Sequence, residues 1–154
     1  MSLEEFRQID ASALTVGELI AIIARGMQIY LNHHLDDLGI NATQLHLLIE
    51  ISNQCDINQE NISKRCNINK GAVARSIKKL EEKGLVSRQI DENNRRQNKV
   101  SLTELGEETL KGSMKILNEW EDEIILEKGY IDKELLQKVL KEIAIRTMEL
   151  NKRD

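Results

Sequence analysis

Arg75, Lys78 and Lys79 lie in a stretch whose apolar residues, Val73, Ile77 and Leu80, recur at i, i+4 and i+7. On a helix the two sets point apart: the apolar triplet forms one stripe and the cations lie opposite it, with Gly71 and Ala72. Lys70 opens the same stretch. Small residues near the start of such a helix let it approach another surface closely. A guanidinium at Arg75 suits a bidentate bond to the edge of a guanine. The ammonium groups of Lys78 and Lys79 suit phosphate oxygens, and Lys70 joins them as a DNA-binding candidate. Lysines also decorate ordinary solvated helix faces, so a second feature has to support the reading. Arg95 and Arg96 supply it. They fall in the polar run 91–97, where no apolar residue offers them packing, and an arginine on a polar tip matches the narrow, electronegative minor groove of DNA.

Other reactive side chains do not assemble into a site. His33 and His34 are adjacent and point to different faces of a helix, and no metal-ligand spacing links them to His46, Cys55 or Cys66. No nucleophile elbow, phosphate loop or catalytic carboxylate pair is present, so neither an enzyme nor a bound metal or cofactor is expected. Cys66 follows Ile62 by four residues, which places it on a buried face. A redox-sensing role for Cys55 or Cys66 lacks an activating cation cluster of its own. Met27, Tyr30 and His34 share one helix face, and His46 lies on the following helix. Together they offer a hydroxyl, an imidazole and an adaptable apolar wall for a small ligand, although plain packing accounts for the same four residues.

Four helices, a hairpin and two further helices have to position these groups. Leu19, Ile23, Met27, Tyr30, Leu31, His34 and Leu38 mark one helix of about 25 residues from Leu14 to Leu38, stopped by Gly39. Asn41 caps a second helix with Gln44 as its capping-box partner, running to about Asn53. Asn58 caps a short third helix ending near Cys66, with Ile57 and Ile62 as a hydrophobic staple. Asn69 caps a fourth from Lys70 to Lys83, closed by Gly84. The period then changes to two. Val86 and Ile90 share a face, as do Val100 and Leu102, and Asn93-Asn94 marks the turn. Thr103 caps a long helix reaching about Lys128 and closed by Gly129. Asp132 caps the last, which ends near Leu150.

The 154 residues are 40% hydrophobic and 31% charged, with no proline. The longest apolar run, Leu19 to Ala24, is far short of the roughly 20 residues that span a bilayer. No export signal opens the chain, and two cysteines make no disulfide framework, so a cytoplasmic location is expected. The net charge of −4 is unevenly spread: residues 64–99 carry +7 and the rest −11. An acidic body presenting one basic surface has this pattern.

The stretch from Ile57 to Leu110 resembles the MarR (multiple antibiotic resistance regulator) family. Gln59-Glu60-Asn61-Ile62 matches the opening of its helix-turn-helix. Leu80-Glu81-Glu82-Lys83-Gly84-Leu85-Val86 leads into its wing, followed by Arg96 and by Val100-Ser101-Leu102-Thr103-Glu104-Leu105-Gly106. The long flanking helices match as well. At Asn94 the family usually carries an aspartate, so the charge that would orient Arg96 is missing. The resemblance implies a mainly α fold with a small two-stranded β wing. Residues 41–103 would form the winged helix-turn-helix, and residues 4–38 and 104–151 the helical dimerisation region. It further implies a homodimer on a pseudo-palindromic double-stranded operator, acting as a repressor relieved by a small phenolic or anionic effector. The competing readings are a winged-helix protein-interaction module without DNA binding and a cysteine-based redox regulator.

Overall fold

A computed structural model describes residues 2–54, 56–91, 94–126 and 131–152. Helices α1 (Leu3–Arg7), α2 (Val16–His34) and α3 (Ala42–Asn53) precede a short strand β1 (Ile57–Asn58). Helices α4 (Gln59–Cys66) and α5 (Lys70–Glu82), strands β2 (Val86–Asp91) and β3 (Asn94–Leu102), and helices α6 (Glu104–Leu126) and α7 (Lys133–Leu150) complete the chain. Two compact units divide within α6, Met1–Ile116 and Leu117–Asp154.

Most helix starts follow from local side-chain caps. The side chains of Asn41, Asn58 and Asn69 accept backbone N–H bonds at the starts of α3, α4 and α5. Thr103 Oγ1 accepts from the Gly106 N–H at the start of α6, and Asp132 Oδ1 accepts from Leu135 N–H at the start of α7. Each cap satisfies a backbone donor that the helix leaves unpaired.

The first long helix is shorter than its apolar stripe. Thr15 and Glu18 form a reciprocal capping box that starts α2 at Val16, and after His34 the chain tightens into a 3-10 turn, Asp36–Leu38. The stripe continues through that tighter turn, which apolar spacing alone does not distinguish from α-helix.

The sheet has three strands, not two, in the order β1-β3-β2. Ile57 pairs with Val100 and Asn58 with Lys99, both antiparallel. Ile57 is thus both a strand residue and a core residue. The second wing strand is also longer than expected, with Val86 opposite Leu102 and Asp91 opposite Asn94. Residues 94–97 of the polar run are therefore strand, and Arg95 and Arg96 lie on β3 rather than in a loop. Ile90 does not share the burial of Val86: it is 67% exposed against 2%. At Ile90 the ribbon has run past the edge of the core, and the side chain faces solvent.

The core of the first unit is aliphatic. Leu35, Leu47, Leu48, Ile62, Ile77, Leu80 and Val100 are all fully buried. Gly106 lies where a Cβ would stand 2.0 Å from the Leu85 carbonyl oxygen, so a glycine is what lets the first turn of α6 sit against the start of the wing. Gly84, at φ 71°, makes the left-handed turn from α5 into β2.

In the second unit, Lys133 Nζ lies 2.9 Å from Glu121 and 3.7 Å from Asp122, tying the start of α7 to the end of α6. These carboxylates hold the Lys133 ammonium above its ordinary pKa, the Glu121 hydrogen bond foremost. No residue of α7 is buried within the single chain. The helix stop expected at Gly129 falls outside the described residues.

Candidate nucleic-acid interface

The α4–α5 turn is fixed by side chains as much as by backbone. Asn67 takes the left-handed conformation, φ 51°, at the end of α4. Ser63 Oγ donates to the Ile68 carbonyl at 2.6 Å, and Ile68 N–H donates back to Ser63 O at 3.1 Å. Asn69 Oδ1 then accepts from Gly71 N–H at 2.8 Å and Ala72 N–H at 3.4 Å, which starts α5.

Helix α5 has the two faces its spacing requires. Val73, Ile77 and Leu80 are 1%, 0% and 0% exposed. Lys70, Gly71, Arg75, Lys78 and Lys79 are exposed, and Ala72 is half-buried. Gly71 leaves room for both neighbours, since a Cβ there would stand 3.1 Å from Asn69 Oδ1 and 3.4 Å from Arg75 Nη1. Among the described residues Arg75 and Lys79 have no acidic partner. Lys78 lies 3.9 Å from Glu82, one turn on. Lys70 donates to Glu60 at 3.1 Å, and Lys64 approaches the same carboxylate oxygen at 3.4 Å.

The wing is tied to α5 by a pair that apolar patterning does not reveal. Arg88 Nε on β2 donates to Glu81 Oε2 at 2.8 Å, and a second guanidinium nitrogen bonds the same oxygen. The hydrogen bond from Arg88 holds the Glu81 carboxyl below its ordinary pKa, and Glu81 in turn raises that of Arg88. Lys83, just past the end of α5, donates to the Gly39 carbonyl. Thr103 Oγ1 donates to the Gly84 carbonyl at 2.5 Å, so both ends of the hairpin are fastened.

The candidate ligand residues are only partly brought together. The Tyr30 and His34 rings stack with centroids 3.9 Å apart at 20°, and His34 Nδ1 lies 2.8 Å from the Tyr30 carbonyl. Met27 is half-buried one turn earlier, whereas His46 is exposed on α3. The hollow beside His34 is lined by Asn32, His33, Asp36 and Asp37. A second hollow, of about 490 Å³, lies between α3, β3 and α6 and is lined by Ile51, Ser52, Asp56, Ser101, Leu102, Glu107, Leu110 and Lys111. Sequence periodicity gave no sign of it, because its walls meet only after long-range strand pairing. Cys66 is half-buried rather than fully buried. Burial, and then the nearby Glu50 charge, push its thiol pKa up, against the thiolate that redox chemistry needs. Cys55 falls outside the described residues.

A family model described as the MarR family matches residues 40–97. YdgJ of Bacillus subtilis (strain 168), an uncharacterized HTH-type transcriptional regulator, is 33% identical over 102 residues. That match covers 66% of this chain and 62% of YdgJ, less than two thirds of the relative's length. Among solved structures, a MarR transcriptional regulator from Methanosarcina mazei Go1 is 32% identical with a TM-score of 0.77, covering 90% of this chain and 98% of that one. A mutant MarR from E. coli complexed with operator DNA shares the fold, with a TM-score of 0.73 and 24% identity over 88% of this chain and 99% of that one. The winged helix-turn-helix built around α4 and α5, and 32% identity across nearly the whole of a solved relative, place the chain in the MarR family of winged helix-turn-helix transcriptional regulators.

Proposed function

We propose that the protein is a homodimer that binds a pseudo-palindromic DNA operator, represses transcription and is released by a small phenolic or anionic effector. The observation that carries the DNA reading is the division of α5, with Val73, Ile77 and Leu80 buried and a row of exposed cations opposite them. In this reading Arg75 reads a base edge, Lys70, Lys78 and Lys79 hold phosphates, and Gly71 and Ala72 let the helix enter the major groove. Arg95 and Arg96 on β3 carry the wing toward the minor groove. The fold shared with an operator-bound E. coli MarR mutant supports this docking.

The dimer reading rests on α7. Leu135, Val139, Leu140, Ile143 and Met148 are each 37–61% exposed in the single chain. So many apolar side chains on one helix call for a covering surface, and a second copy of the chain supplies one. The effector reading rests on the Tyr30–His34 stack with Met27 beside it and His46 on the neighbouring helix. An effector favouring a different spacing of the two α5 helices lowers DNA affinity only by its preference between the two states. No chemistry is assigned to the chain, and its place of action is the cytoplasm, with the DNA.

Binding to duplex DNA from the protein's own upstream region, titrated with salt, tests the reading. Affinity is expected to fall by about 10³–10⁵ between 50 and 200 mM salt, as for a protein making about 6–10 phosphate contacts. Absence of binding would refute it and favour a protein-interaction module, and binding with a flat salt response would refute the phosphate contacts.

A further inference from the structure

Glu60 places a negative charge where a phosphate-binding surface has no use for one. It stands in the first turn of α4, yet its carboxylate reaches across the turn to α5. Lys70 Nζ, on the first residue of α5, donates to Glu60 Oε1 at 3.1 Å, and Lys64 Nζ lies 3.4 Å from the same oxygen. The two lysine side chains are 71% and 68% exposed and that of Glu60 is 41% exposed, so all three charges face solvent. The Glu60 carboxyl is held below its ordinary pKa, chiefly by the Lys70 hydrogen bond and then by the Lys64 charge, so it remains ionised wherever DNA would bind. An exposed triad of this kind adds little to folding stability. Its effect falls instead on what approaches from solvent.

We propose that Glu60 is a built-in competitor for the DNA backbone. In the free protein it occupies Lys64 and Lys70, and its charge opposes every phosphate brought to the N-terminal end of α5. A phosphate has to displace the carboxylate or bind beside it against repulsion. Lysines already paired with a carboxylate also neutralise fewer phosphates, so fewer of the cations condensed on the DNA are released. Phosphates carry no sequence information, so Glu60 lowers affinity for all DNA alike. A larger share of binding is thereby left to the base contacts of α5. The proposal rests on the DNA-binding reading above.

The test compares wild type with Glu60→Gln, which keeps the size and removes the charge. Each is titrated over 50–200 mM salt against an upstream operator duplex and a scrambled duplex of equal length. E60Q is expected to bind both duplexes more tightly. Its log–log salt slope should steepen by about 0.9 per protomer, one phosphate equivalent, or about 1.8 for a dimer. A difference of that size shrinks the variant's advantage about 3.5-fold with each doubling of salt. Lys70→Gln should then cost more affinity in the E60Q background than in wild type, and Glu60→Asp should keep the wild-type slope. Equal, steep slopes for wild type and E60Q would overturn the role of Glu60 while leaving DNA binding intact. So would an E60D slope matching that of E60Q. Failure of the wild type to bind either duplex would remove the DNA reading and this proposal together.

Discussion

Gly106→Ala tests the junction that holds the wing to the rest of the first unit. The added Cβ would stand 2.0 Å from the Leu85 carbonyl oxygen and 3.0 Å from its carbonyl carbon. Nonbonded heavy atoms settle at about 3.5–4.0 Å, so the two backbones have to part by more than about 1 Å. The obstacle is main chain and cannot rotate away. Three bonds meet at this point: Leu85 N–H to Leu80 O at 2.9 Å, Thr103 N–H to Leu85 O at 3.1 Å, and Thr103 Oγ1 to Gly84 O at 2.5 Å. Overpacking of this kind costs about 1–3 kcal/mol, and a weakened hydrogen bond adds about 1. Replacing glycine by alanine inside a helix returns about 1 kcal/mol. The net loss is about 1–3 kcal/mol, or roughly 2–12 °C in melting temperature for a chain of this size. Gly112→Ala is the internal control. Its Cβ would meet only Leu38 side-chain atoms at 3.5 and 3.8 Å, an ordinary contact. Circular-dichroism melts of both variants should move apart, with Gly112→Ala at or slightly above wild type. A Gly106→Ala protein as stable as Gly112→Ala would refute the close approach of α6 to the wing.

Three further outcomes are expected. Arg75→Ala should cost about 1–3 kcal/mol per half-site and relax sequence choice, whereas Lys79→Ala should weaken all sequences alike. Competition binding across operator variants separates the two, and an Arg75→Ala protein with undiminished sequence preference would exclude Arg75 from base reading. Val139→Asp and Ile143→Asp, at positions 48% and 37% exposed in the single chain, should each yield a monomer by analytical ultracentrifugation. A dimer in both cases would exclude α7 from the dimer surface. Glu81 has a carboxyl pKa lowered from its ordinary 4.5 by Arg88. Its stabilising contribution is therefore complete above pH 4.5 and is lost as the pH falls through the lower, folded-state value. Glu81→Gln should flatten the acid limb of the stability profile, and an unchanged limb would show that the pair contributes nothing to it.

What was legible in the sequence was local. Asn41, Asn58, Asn69, Thr103 and Asp132 announce helix starts because a cap joins residues two or three apart. Val73, Ile77 and Leu80 announce the buried side of α5 because the helical period puts them on one stripe. What was not legible depended on distance along the chain. Strand β1 is two residues long, too short to show alternation, and exists because Ile57 pairs with Val100. Ile90 fits the period of β2, but the period does not tell where the core ends. The same limit applies to charge. Lys64 and Lys70 look like free cations when counted in residues 64–99, yet a carboxylate from outside that window, Glu60, neutralises part of both. Electrostatic reach follows the folded surface and not the chain. On the proposed DNA-binding reading, the basic surface is therefore smaller than the local excess of +7 implies, and more of its positive charge lies at Arg75 and Lys79, which the fold leaves without acidic partners among the described residues.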